Sequence, residues 1–113
     1  MLFYVRIEVT IPSHIDRETV ERLGKLEHER AADLQRAGKW KHLWRIVGRF
    51  ANISVFEVDT NDELHAILES LPFYPYMNIE VAPLCRHPGA LSESEIRDDM
   101  EALAVTPTDL SRA

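Results

Sequence analysis

Cysteine is nearly missing from this chain: Cys85 stands alone among 113 residues. No intrachain disulfide can form, which fits a reducing cytoplasm. Glycine is scarce too, at four residues, and no Gly-rich phosphate loop is present. The five histidines are scattered, without HxxxH or HExxH spacing and without a second cysteine to complete a metal-ligand set. Ser54 and Ser70 lack the context of a nucleophile elbow. A basic block is also missing. At a formal net charge of -6 the chain has no Lys/Arg cluster for phosphates, so nucleic acid is not expected as a partner. An anionic small molecule stays open, because a few Arg or His in a pocket suffice. The apolar stretch "MLFYVRIEVTI" is too short to span a bilayer, alternates with Arg6 and Glu8, and lacks the charged n-region and cleavage site of a signal peptide. No internal repeat or interdomain linker is visible. These absences remove most cofactor-dependent and covalent chemistries. Cofactor-free proton transfer remains, and neither cofactor, metal nor membrane is expected.

What is present reads as a single domain. Phe3, Val5, Ile7 and Val9 share one side of a first strand, with Leu2, Tyr4, Arg6 and Glu8 on the other, and Pro12 ends it. Asp16 is a good N-cap for a helix over residues 17–37, with Val20, Leu23, Ala31 and Leu34 at helical spacing and Gly38 as its stop. "KWKHLWRIVGRFANISVFEV" supplies two strands around a turn at Gly48-Arg49, with Gly48 at positive φ. Thr60 and Glu63 have capping-box spacing ahead of an apolar stripe at Leu64, Ile67, Leu68 and Leu71, closed by Pro72. "YMNIEVAPL" is a last strand with Met77, Ile79 and Val81 on one side. The order βαββαβ is the ferredoxin-like, split βαβ pattern of an α+β fold: one antiparallel sheet with two helices on one face. The other face needs cover, and Trp and Tyr there favour a partner subunit over water. Residues 1–90 form this domain. Residues 91–113 are a polar, acidic C-terminal extension, in which Ser92 and Glu95 cap a short helix with Ile96, Met100 and Leu103 along one side. That narrow stripe either docks on a neighbouring subunit or is loosely ordered.

Three constellations carry chemistry. Glu27 falls between Leu23 and Ala31, in the middle of the apolar helix stripe. A carboxylate pressed toward the sheet is costly unless paired, and burial raises its pKa, which makes a general base competent near neutral pH. The alternatives are a structural ion pair with a sheet arginine, or a helix turned to leave Glu27 in water. In the second strand, strict alternation puts Trp40, His42, Trp44 and Ile46 on one face and Lys41, Leu43, Arg45 and Val47 on the other; it does not say which face meets Glu27. The tryptophans are read as interface or core packing. His42 and Arg45 are either site residues or a satisfied polar pair. In "LCRHP", Arg86 and His87 lie just past the last strand, where they can form a pocket mouth or clamp a neighbouring chain.

The segments "MLFYVRIEV", "GKWKHLWRIVGRFANISVFEV", "LHAILESLPFYPYMNIEV" and "LCRHP" closely resemble the muconolactone Δ-isomerase family over residues 1–90. The resemblance implies a ferredoxin-like enzyme of the β-ketoadipate route for aromatic breakdown. It would convert muconolactone into 3-oxoadipate enol-lactone without a cofactor, as a cytoplasmic ring-like homo-oligomer, typically a decamer. His42, Arg45 and Asn52 would help build an anion-binding pocket, with Trp40 and Trp44 packing its walls and subunit contacts. The chemistry needs one carboxylate over one ring face, for which Glu27 is the candidate. It also needs a cation for the substrate carboxylate and a donor for the dienolate oxygen, roles spread over Arg45, His42, Tyr76, Arg86 and His87, some of them from an adjacent subunit. The same resemblance admits a chloromuconolactone dehalogenase or a methylmuconolactone isomerase. From another class, a non-catalytic α+β binding or assembly module stays open, since fold alone licenses no function.

Overall fold

In the computed structural model, which describes residues 1–103, the expected order is present. It runs β1 (Leu2–Val9), α1 (Arg17–Arg36), β2 (Trp40–Arg45), β3 (Ala51–Glu57), α2 (Asn61–Glu69), a short 3-10 turn (Tyr74–Tyr76), β4 (Met77–Leu84) and a further helix, α3 (Glu93–Leu103). The four strands form one sheet in the order β2-β3-β1-β4, and every neighbouring pair is antiparallel. This is the ferredoxin-like α+β arrangement. Among the described residues no helix is long and apolar enough to cross a membrane.

Local chemistry explains the element boundaries. The Asp16 side chain accepts a hydrogen bond from the Thr19 N–H at 2.6 Å and starts α1. Gly38, at φ 75°, takes the left-handed turn beyond the Ala37 C-cap. Gly48, at φ 77°, does the same between β2 and β3. The Thr60 hydroxyl accepts from the Glu63 N–H at 3.0 Å. The reciprocal half of the capping box is absent, because the Glu63 carboxylate turns to Lys39 Nζ at 2.9 Å. Ser92 starts α3 as expected, its hydroxyl accepting from the Glu95 N–H at 3.1 Å. Residues 104–113 of the C-terminal extension lie outside the described residues.

The core lies between the helices and one sheet face. Phe3, Val5 and Ile7 of β1, Phe56 of β3, Leu34 of α1, and Leu64, Ile67 and Leu68 of α2 are all buried there. The strict alternation expected for β2 fails. Trp40 pairs with Phe56 but His42 pairs with Val55, so Lys41 is the extra residue of a β-bulge. Beyond it the faces swap. Trp40 (paired with Phe56), Leu43 (with Ser54) and Arg45 (with Asn52) share the helix-covered face, while His42 and Trp44 share the outer one. A period-2 reading cannot register an inserted residue, and only the partner strand shows that it is there.

α1 departs from a plain packing helix. Its stripe is expected to press on the sheet, but Leu34 is its only buried residue. Nearer the N-terminus, Gly24, Glu27 and Ala31 face a cavity instead.

Candidate active site

The cavity under α1 has a volume of about 460 Å³, within the usual range for small-molecule sites. Its floor is Ile7 and Val9 of β1 with Asn52 of β3; α1 contributes Glu27 and His28. Trp40, Leu43 and Arg45 come from β2, and Phe50, Phe73 and Met77 close the end. The walls are set by backbone pins. The Val9 N–H donates to the Phe50 carbonyl at 3.0 Å and the Thr10 N–H to the Tyr76 carbonyl at 2.9 Å. Phe50 and Phe73 meet edge to face, with ring centroids 6.1 Å apart.

Glu27 is the chemical centre of this space. Its Oε1 accepts from the Phe73 backbone N–H at 3.0 Å, a donor supplied by the turn that follows Pro72. Its Oε2 is buried and has no partner among the described residues. Among the described residues no cation holds the carboxylate, so the ion-pair alternative does not describe it there. Burial pushes its pKa up, and the Phe73 N–H only partly opposes the rise. One oxygen is thus anchored and the other is free to take a proton.

A second orphan belongs to Trp40, another residue that lines this cavity. Trp40 is 4% exposed, its ring packs on Phe56 at 4.7 Å, and its indole Nε1–H is buried without an acceptor among the described residues. Such an unmet group costs about 1–3 kcal/mol, so both orphans raise the question of what meets them. A third, Glu57 Oε2, lies away from the cavity and faces the chain's amino group at 3.9 Å.

Two polar side chains on neighbouring strands complete the cavity. Arg45 is exposed, with its guanidinium 5.5 Å from the centroid of the Phe50 ring. Asn52 accepts the Ser54 hydroxyl on Oδ1 at 2.7 Å, which leaves its amide nitrogen as the end that can meet a ligand. Ser54 is fully buried and positions Asn52; neither feature suggests a nucleophile.

Of the residues singled out in the sequence, Glu27, Arg45 and Asn52 come together here. His42 lies on the opposite sheet face, stacked on Trp44 at 5.0 Å and 6°. Tyr76 is half-buried next to Met77 but is not among the lining residues. Arg86 and His87 sit at the other end of the sheet. Leu84, just before them, pairs with Leu2, whereas the cavity is at the Val9 and Met77 end of β1. There Arg86 donates to the Ala90 carbonyl at 3.0 Å and His87 Nδ1 accepts from the Gly89 N–H at 2.8 Å. His28, Phe50 and Phe73 were not anticipated. His28 directly follows Glu27, so the position beside the candidate base was a usable signal; the Phe73 N–H was not, because a backbone donor leaves no mark in a sequence.

Comparison with known proteins identifies the family of the chain. The sequence model of one family, described as muconolactone delta-isomerase, matches residues 1–90. Muconolactone Delta-isomerase 1 of Acinetobacter lwoffii is 50% identical over 99 residues, covering 88% of this chain and 98% of that protein. Muconolactone Delta-isomerase of Acinetobacter baylyi is 48% identical with the same coverage, 88% and 98%. The crystal structure of a muconolactone isomerase superposes with a TM-score of 0.78 at 47% identity, covering 82% of this chain and 97% of that one. On the match over residues 1–90 and on these identities, the chain belongs to the muconolactone delta-isomerase family.

Proposed function

We propose that the cavity under α1 isomerises muconolactone to 3-oxoadipate enol-lactone by proton transfer, without a cofactor. The observation that carries this reading is Glu27 Oε2, a buried acceptor with no partner and a raised pKa, in a cavity sized for a small ligand. The substrate is an unsaturated five-membered lactone with a carboxymethyl arm. Its γ-hydrogen is acidic because the resulting anion is a dienolate with charge on the lactone carbonyl oxygen. Glu27 removes that proton and returns it at the α-carbon across the same ring face. A carboxylate whose pKa burial has raised is a stronger base than one in water, and its conjugate acid still gives the proton back.

The carboxymethyl arm needs a cation and a donor. Arg45 and Asn52, paired across β2 and β3, supply both at one end of the cavity. His42, Arg86 and His87 are turned away from this chain's own cavity and serve a site only from a neighbouring subunit. A large homo-oligomer, with ten subunits as the expected size, belongs to this reading. Its support is the outer sheet face, where Trp44 is 54% exposed. A cytoplasmic location is part of it too, consistent with a single, exposed cysteine.

The test is an ultraviolet assay of purified protein with muconolactone and no added cofactor. Turnover to the enol-lactone is expected. Absence of turnover by folded protein overturns the reading. A parallel assay on 5-chloromuconolactone with chloride detection separates an isomerase from a dehalogenase.

A further inference from the structure

We propose that Trp40 is a catalytic residue of this reaction: its indole Nε1–H donates to the lactone carbonyl oxygen as that oxygen takes up the dienolate charge. The inference rests on the isomerase reading, and it begins from the two orphans in one cavity. Glu27 Oε2 is an acceptor without a donor, and Trp40 Nε1 is a donor without an acceptor. They do not satisfy each other. A lactone that loses a proton at carbon and gains charge at oxygen supplies the complement of both.

The electron count closes on these two groups. As Glu27 takes the γ-proton, the C–H pair becomes a double bond between the γ- and β-carbons. The former α,β pair moves to join the α-carbon to the carbonyl carbon, and the carbonyl π pair moves onto oxygen. On return, the oxygen pair re-forms the carbonyl, and the pair that had joined the α-carbon to the carbonyl carbon takes the proton back from Glu27 as the new α-C–H bond. Charge therefore develops on one oxygen only, and a donor fixed beside it lowers the barrier most when it need not reorganise. Trp40 meets that condition. Its ring is held against Phe56, and the bulge at Lys41 turns it onto the same sheet face as Arg45.

The alternatives are less suited. Arg45 is exposed and fits the carboxylate arm. A cation deep beside Glu27 would also hold the carboxyl down in pKa and weaken the base. A neutral N–H polarises the carbonyl without that cost, and no cation contributes to the shift of Glu27.

The experiment has two arms. Trp40→Phe keeps an aromatic ring and deletes the donor; kcat is expected to fall about 10²-fold, with KM nearly unchanged, because the bond is made chiefly in the transition state. The second arm leaves the native side chain in place. Protein labelled with ¹⁵N at its indoles is titrated with a muconolactone analogue whose γ-hydrogen is replaced by methyl, so that it binds but cannot isomerise. Trp44→Phe protein assigns the two indole signals. The Trp40 N–H proton is expected to move downfield at saturation as it gains a carbonyl acceptor. If Trp40→Phe fails to fold, this titration alone decides. Turnover by wild type with an unmoved Trp40 signal at saturation, or a folded Trp40→Phe protein at the wild-type kcat, overturns the donor role alone. Wild type that neither turns over muconolactone nor binds the analogue overturns the isomerase reading and the donor role with it.

Discussion

Glu27 combines an anchored oxygen with an unpaired one, and each half has a measurable consequence. Glu27→Gln keeps shape and the Phe73 hydrogen bond but removes the proposed base, so kcat is expected to fall by about 10²–10⁴. Arg45→Ala is the contrasting change. It removes the cation proposed for the carboxylate arm, and steady-state kinetics should show mainly a rise in KM. The pH dependence follows from the raised pKa. The acid limb of kcat/KM should have its midpoint above 4.5, the ordinary value for a glutamate, with activity rising as pH rises through it. Stability runs the other way. In the window from 4.5 up to the raised value, the folded chain keeps a proton that the unfolded chain has released. The contribution of Glu27 to stability therefore falls as pH rises through that window. Denaturant midpoints of wild type and Glu27→Gln, compared at acid and neutral pH, should diverge in favour of the variant at neutral pH. An unchanged difference between the two pH values would show that the carboxyl is not perturbed in the folded protein.

At the scale of elements, the division between what could be read from the sequence and what could not is physical. Helix starts and stops at Asp16, Gly38, Thr60 and Ser92 are local chemistry, a side chain or a φ angle within a few residues. They were legible, as were the inward face of β1 and the Gly48 turn. The faces of β2 were not. The bulge at Lys41 is a property of the pairing with β3, and it carries Trp40 to the cavity side while His42 stays outside. Arg86 and His87 looked like pocket residues because they follow a strand, yet antiparallel pairing places them at the far end of the sheet. The position of Glu27 in the α1 stripe was legible; that the stripe roofs a cavity was not, because a gap beneath a helix depends on the sizes of side chains from several other segments. Gly24 tests this view of α1. A Cβ there would sit 3.9 Å from the Phe73 ring, an ordinary contact, and a mid-helix glycine costs about 0.8–1.0 kcal/mol relative to alanine. Gly24→Ala should therefore raise stability by roughly that amount in chemical unfolding, read at fixed protein concentration because assembly also shifts the midpoint. A destabilised variant would mean that α1 sits closer to Phe73 than these contacts allow.

Among the described residues of the whole molecule, two surfaces are left uncovered by the fold. α3 has no buried residue and none of its residues lines the cavity. A chain ending at Ser92 should keep kcat within about tenfold, roughly 1.4 kcal/mol of barrier, in the same ultraviolet assay, whatever happens to its assembly. The outer sheet face differs in kind, because it is ordered and aromatic. Trp44 stacks on His42, and Leu2 and Leu84, paired across β1 and β4, are 39% and 44% exposed on the same side of the sheet. Charged groups share this face, but Glu8 is already occupied by Arg6 and Arg49, so its charge is largely answered within the chain. A sheet face of this composition loses unfavourable contact with water when a second copy covers it, and large aromatic residues are enriched in such contacts. Light scattering should accordingly show a species larger than a dimer at micromolar concentration. Trp44→Glu places an unpaired carboxylate in that contact and should shift the chain toward smaller species. Because Trp44 is half-exposed within one subunit and lies outside the core, the fold should survive the substitution, with an unchanged far-ultraviolet dichroism spectrum. A Trp44→Glu protein that assembles like wild type would place the subunit contact elsewhere, and a wild type that stays monomeric would remove the need for one.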